Sequence, residues 1–142
     1  MFLLDTNVIS EMRKAGAGHA DPNVTAWLSS KDAELFYISA ITLMELELGD
    51  LRIERRDAPQ GAKLRRWMQN RILPTFSGRV LPIDAQIALR CAALHVPDPR
   101  SDRDALIAAT ALIHNMTVIT RNTVDFELTG VPLLNPWIEV SA

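Results

Sequence analysis

Apolar residues along the chain fall into two spacings. Short leucine-rich or β-branched runs at Phe2–Leu4, Leu35–Ser39, Arg79–Ile83 and Met116–Thr120 predict strands, with Leu133 and Leu134 as a last edge strand. Between them apolar positions recur at helical spacing. Val8, Ile9 and Met12 mark a helix that fades at Gly16 and Gly18, and Pro22–Leu28 predicts a short one that buries Trp27. Ile41, Leu43, Met44, Leu46 and Leu48 mark the next, reaching Gly49. Asp57-Ala58-Pro59 breaks it, Gly61 loosens the turn, and Leu64, Trp67, Met68, Ile72 and Leu73 continue in a second helix, so the two form a helical hairpin. Asp84 caps a helix to about Leu94, and Pro97-Asp98-Pro99-Arg100 is a rigid loop before Ser101. Pro136 and Trp137 are expected to anchor the end of the chain.

The stretch from Ser101 to Arg121 shows the repeating unit most clearly. Ser101 caps a helix whose first turn holds Asp104, Ala105–Ile113 is apolar almost all round, and His114-Asn115 offers a left-handed stop before the run Met116–Thr120. A buried helix feeding a buried strand is the unit of an α/β fold with a mainly parallel sheet. The 142 residues form one domain, 1–142, long enough to bury a core. Cys91 is the single cysteine, so no intrachain disulfide can form, and its apolar neighbours mark it as a core thiol. Asp5 interrupts the N-terminal apolar run after three residues, and no later stretch approaches the roughly 18 apolar residues of a membrane span. A cytoplasmic protein is the expectation.

Candidate chemistry comes by elimination. There is no G-x-S-x-G, phosphate-cradling glycine loop or C-x-x-C, and His19, His95 and His114 are not at metal-ligand spacing. Carboxylates remain. Asp5 closes the first strand, Glu45 and Glu47 sit on the helix after the second, Asp104 opens the helix before the fourth, and Asp125 lies in a loop beyond it. Each has an ordinary reading: Asp5, Thr6 or Asn7 caps a helix, and Asp104 complements a helix dipole. Periodicity cannot say which of Glu45 and Glu47 points to solvent. The recurrence of acids near strand ends favours a shared site, because parallel topology brings those ends to one edge. Ionised carboxylates about 5 Å apart repel by roughly 3 kcal/mol at an effective dielectric of 20, and a hard divalent cation relieves this. Oxygen-only ligands suit Mg²⁺ or Mn²⁺ rather than zinc.

The net charge of −2 gives weak guidance on partners, but its distribution is uneven. Arg52, Arg55, Arg56, Lys63, Arg65, Arg66 and Arg71 meet only Glu54 and Asp57 in their stretch, a local +5 against −7 elsewhere. Such a run is either a solvated helix face or a surface for a polyanion.

The segments FLLDTNVISE, SAITLMELELG, DRDALIAATA and TVITRNTVDF, in this order across almost the whole chain, resemble the PIN-domain ribonucleases, and among them the VapC or FitB type toxins of type II toxin–antitoxin pairs. The resemblance implies a three-layer α/β/α fold with a helical hairpin and places the family's acidic quartet on Asp5, Glu45, Asp104 and Asp125. It makes Asp5 and Asp104 the direct Mg²⁺ ligands and Thr6, Thr120 and Asn122 their orienting neighbours, with Asp102 the alternative to Asp104. It further implies a homodimer that hydrolyses RNA and is silenced by an antitoxin; the local charge of Arg52–Arg71 makes that run the candidate surface for RNA or antitoxin. Two other classes compete. A phospho-accepting receiver domain needs a late lysine beside its acids, and none follows Lys63. A non-catalytic module of the same fold, partnering a DNA-binding antitoxin, would keep the architecture without the metal.

Overall fold

The structure, a computed structural model, is described for residues 1–138; residues 139–142 of the expected domain lie outside the described part. Five strands form one sheet in the order β3-β2-β1-β4-β5, from β1 (Phe2–Leu4), β2 (Phe36–Ser39), β3 (Val80–Leu81), β4 (Thr117–Ile119) and β5 (Leu133–Leu134). Every ladder is parallel: Leu3 faces Tyr37 on one side and Val118 on the other, Ile38 faces Val80, and Ile119 faces Leu134. The helices are α1 (Thr6–Ala15), α2 (Pro22–Ser29), α3 (Ala40–Arg56), α4 (Ala58–Trp67), α5 (Leu73–Thr75), α6 (Ala85–Leu94) and α7 (Asp102–His114).

Strand alternation sorts the core into two layers. Leu3 and Val118 point into a cluster with Ile87, Cys91, Ala105 and Ala108 from α6 and α7, while Leu4 and Ile119 point into a cluster with Val8, Trp27, Leu46 and Met68 from α1 to the hairpin. The result is the α/β/α sandwich that the resemblance implies. At the far end Asn23 Nδ2 donates to the Trp137 carbonyl at 2.9 Å, and the Arg121 guanidinium lies 5.5 Å from the Trp137 ring centroid, so the terminal anchor is present. Among the described residues no helix is long and apolar enough to cross a membrane.

Three local features differ from the sequence expectation. Asp125 lies on a 3₁₀ turn, Thr123–Thr129, rather than in an irregular loop. A π-turn at Met68–Ile72 joins α4 to α5 immediately before Pro74, whose ring clashes with the carbonyl four residues back in regular helix. Gly61 does not loosen a turn. It is buried in α4, where a Cβ would overlap the backbone and Cβ of Glu54 on α3, so the hairpin closes because this residue has no side chain.

Gly61→Ala should therefore lower stability by about 1–3 kcal/mol, the usual cost of overpacking. Gly49 on α3 has open space around its Cβ direction, and Gly49→Ala should raise stability by about 0.5–1 kcal/mol. Urea melts of the two variants test the packing; equal effects would contradict it.

Candidate active site

The carboxyl edge of the sheet carries a hydrogen-bonded acidic site built from four segments. β1 ends at Leu4, and the next residue, Asp5, both continues the sheet edge and caps α1: its N–H donates to the Ile119 carbonyl at 2.9 Å, and its Oδ1 accepts the Thr6 N–H at 2.8 Å. Its Oδ2 accepts the Thr120 hydroxyl at 2.8 Å and Asn7 Nδ2 at 3.4 Å. Thr120 Oγ1 in turn accepts Asn7 Nδ2 at 3.3 Å and the Asn122 N–H at 3.0 Å, so its one donor and both acceptor positions are used. Asp5 is 6% exposed, and burial raises its carboxyl above the usual range even though the Thr120 and Thr6 bonds pull it down. Asp5 thus caps α1 with one carboxylate oxygen and meets Thr120 and Asn7 with the other.

Thr6 links the next acid. Its hydroxyl donates to Glu45 Oε1 at 2.9 Å, while Arg103 Nη1 approaches Glu45 Oε2 at 3.8 Å. The structure separates the two glutamates that periodicity could not: Glu47 pairs with Arg65 across the hairpin at 3.0 Å. Asp104, half-buried in the first turn of α7, has its carboxyl raised to about 6, chiefly by burial and then by the charges of Asp5, Asp125 and Glu45. Asp102 points away, 91% exposed, with His95 Nε2 at 3.4 Å. Asp125 is exposed, and its N–H donates to the Asn122 carbonyl at 3.1 Å. Asn122 therefore acts through its backbone on both Thr120 and Asp125.

Among the described residues no three Asp, Glu, His or Cys side chains stand close enough to hold an ion by themselves. An open site with oxygen donors only fits Mg²⁺, which keeps several waters and takes one or two carboxylates. Asp104 is the strongest indication of fit: burial and the charges of Asp5, Asp125 and Glu45 raise its carboxyl, and against them the neutral Ser101 hydroxyl is the one group that lowers it.

Two further residues reach the site: Asn7, which the sequence offers only as a cap, and Arg103. Asn7 joins Asp5, Thr120 and, through Oδ1 at 3.3 Å, the Arg121 N–H. The polar triplet Asp5-Thr6-Asn7 was its signal; Arg103, between two acids at a helix start, carried none. The basic run divides. Arg65 is drawn into ion pairs with Glu47 and Glu54, each at 3.0 Å, and so is a hairpin residue rather than a free surface charge. Arg52, Arg55, Arg56 and Arg66 are exposed. Lys63 and Arg71 line a cleft of about 730 Å³ with Arg13 and Trp67, between α1 and α4.

Comparison with known proteins places the fold in a family. The family model of the PIN domain matches residues 2–130. The VapC ribonuclease Y4jK of Sinorhizobium fredii is 40% identical over 146 aligned positions, covering 96% of this chain and 98% of the relative. The crystal structure of FitAcB from Neisseria gonorrhoeae matches with a TM-score of 0.87 at 38% identity, covering 96% of this chain and 99% of that one. A toxin–antitoxin complex from Klebsiella pneumoniae matches with a TM-score of 0.69 at 28% identity, over 99% of this chain and 100% of that one. With the family model matching residues 2–130 and a relative 40% identical over 96% of the chain, the chain belongs to the PIN-domain family.

Proposed function

We propose that this chain is an endoribonuclease, the toxin of a toxin–antitoxin pair, and that it hydrolyses RNA phosphodiester bonds with Mg²⁺ or Mn²⁺. The reaction and the setting follow the names of its relatives; the metal rests on Asp104. A carboxyl raised by burial and by three further acids has no stabilising use in the folded chain. It has a use if a cation sits among the acids.

In this reading Asp5 and Asp104 hold the ion, with Asp5 fixed by Thr120, Asn7 and the Thr6 N–H. When bound, the ion supplies positive charge against the phosphodiester and makes a water easier to deprotonate. Glu45 and Asp125 would orient an attacking water beside the phosphodiester; Thr6 sets the Glu45 carboxylate, and the Asn122 backbone sets the turn that carries Asp125. The reading extends to a cytoplasmic homodimer held silent by its antitoxin. For a polyanionic or acidic partner, Lys63 and Arg71 beside the α1–α4 cleft are the best placed of the basic run.

Amide substitutions test the roles. Asp5→Asn and Asp104→Asn should each depress cleavage of RNA in Mg²⁺ by orders of magnitude, and Glu45→Gln and Asp125→Asn should also be severely impaired. Glu47→Gln and Asp102→Asn should stay near wild type, because one carboxylate is engaged in the hairpin and the other points to solvent. Activity that survives Asp5→Asn and Asp104→Asn together, in a variant folded by circular dichroism, would overturn the acidic edge as the seat of cleavage, whereas a folded wild type that cleaves no RNA in Mg²⁺ would leave the chain a binding module of this fold.

A second expectation concerns pH. Asp104 has a folded value of about 6 against an ordinary 3.8, so between those values the folded state binds more protons than the unfolded one. The metal-free protein therefore loses stability as pH rises through that window. At pH 7 without metal, Asp104→Asn should melt a few degrees above wild type, and the gap should close by pH 4. Millimolar Mg²⁺ at pH 7 should raise the melting temperature of wild type and not of Asp104→Asn. A gap that persists at pH 4 would place the stabilisation elsewhere than in the charge.

A further inference from the structure

Most of the chain's arginines with partners in the structure are engaged in holding the fold. Arg79 donates to the carbonyls of Ala33, Phe36 and Thr75, and Arg100 Nε to the Leu94 carbonyl at 2.8 Å. Arg13 pairs with Asp50 at 3.3 Å and stacks 4.4 Å from the Trp67 ring centroid, Arg65 locks the hairpin, and Arg121 stacks on Trp137. Arg103 differs. It lies in the first turn of α7 beside Asp104, where the helix dipole disfavours a cation. Its contact among the described residues is one pair with Glu45 at 3.8 Å, with its side chain 46% exposed. An exposed pair that long contributes little to stability. Glu45 does not need it, because Thr6 already holds the other carboxylate oxygen at 2.9 Å. The guanidinium thus stands at the lip of the acid cluster with nearly all of its donors free, where stability does not account for it.

Resting on the nuclease reading above, we infer that Arg103 is a substrate-contacting residue that leaves Glu45 to bind a phosphate of the RNA strand at the lip of the acidic site. A polyanion approaching this edge meets four carboxylates, of which a divalent ion offsets only two charges. A planar cation with paired donors beside them gives a phosphate a favourable place to rest, and guanidinium suits two phosphate oxygens better than an ammonium does.

The test compares wild type, Arg103→Gln and Arg103→Lys on a randomised 30-nucleotide single-stranded RNA pool in Mg²⁺ across a salt series. Arg103→Gln should lower kcat/KM at least tenfold, and its plot of log(kcat/KM) against log[salt] should be shallower by about 0.7, the loss of one phosphate contact. Arg103→Lys should keep the wild-type slope and recover part of the rate. The melting temperature and its rise with Mn²⁺ should match wild type in both, a result that a merely structural role would not give. Wild-type rate and slope in Arg103→Gln overturn the inference, and so does loss of the Mn²⁺ response, which would make Arg103 a support of the acids. A wild type that responds to Mn²⁺ but cleaves none of the pool overturns the nuclease reading, and this inference with it.

Discussion

Like charges held together at one sheet edge are the constraint around which this molecule is arranged. Asp5, Glu45, Asp104 and Asp125 arrive from four separate segments, and burial first and then the charges of the other three raise the Asp104 carboxyl to about 6. Such convergence opposes folding, and the opposition is met by elements that need no charge. The parallel sheet fixes where Asp5 begins, because its own N–H is part of the edge, bonded to the Ile119 carbonyl. The apolar layers hold α3 and α7 on opposite faces of the sheet, so Glu45 and Asp104 are delivered by helices whose buried residues set their position. The acids are carried by a rigid scaffold and do not build it.

Neutral hydrogen bonding completes the arrangement. Thr6, Asn7 and Thr120 surround Asp5 with donors, and Thr6 spends its hydroxyl on Glu45. These groups fix the geometry of two carboxylates without neutralising them. An arginine in their place would have silenced the charge that a cation needs. Among the described residues the one guanidinium paired with the quartet, that of Arg103, stands at a long 3.8 Å.

Much of this was legible in the sequence because it depends on local signals. Strand ends, the Ser101 cap, the left-handed Asn115 at φ 55° and the last edge strand at Leu133–Leu134 follow from short patterns and stand where those patterns put them. The acids were visible as a recurrence at strand ends. What was hidden is tertiary. Glu45 and Glu47 occupy equivalent helical surroundings, and only Thr6 on one side and Arg65 on the other separate them. Gly61 resembled a turn residue because its reason, the Glu54 backbone, is seven positions away on the facing helix. The basic run read as a continuous surface, yet the hairpin folds Arg65 inward between Glu47 and Glu54.

The central claim is that the raised carboxyl of Asp104 is the place where a divalent ion binds, so binding must displace its proton. Isothermal titration of the metal-free protein with Mn²⁺, in buffers of different ionisation enthalpy, counts that proton directly. Near pH 5.5 the account predicts release of a substantial fraction of a proton per ion, falling toward zero by pH 7.5, where Asp104 is already ionised. Asp104→Asn should abolish the release together with the binding. Mn²⁺ that binds wild type at both pH values with no proton release, or binds Asp104→Asn equally well, would contradict the account.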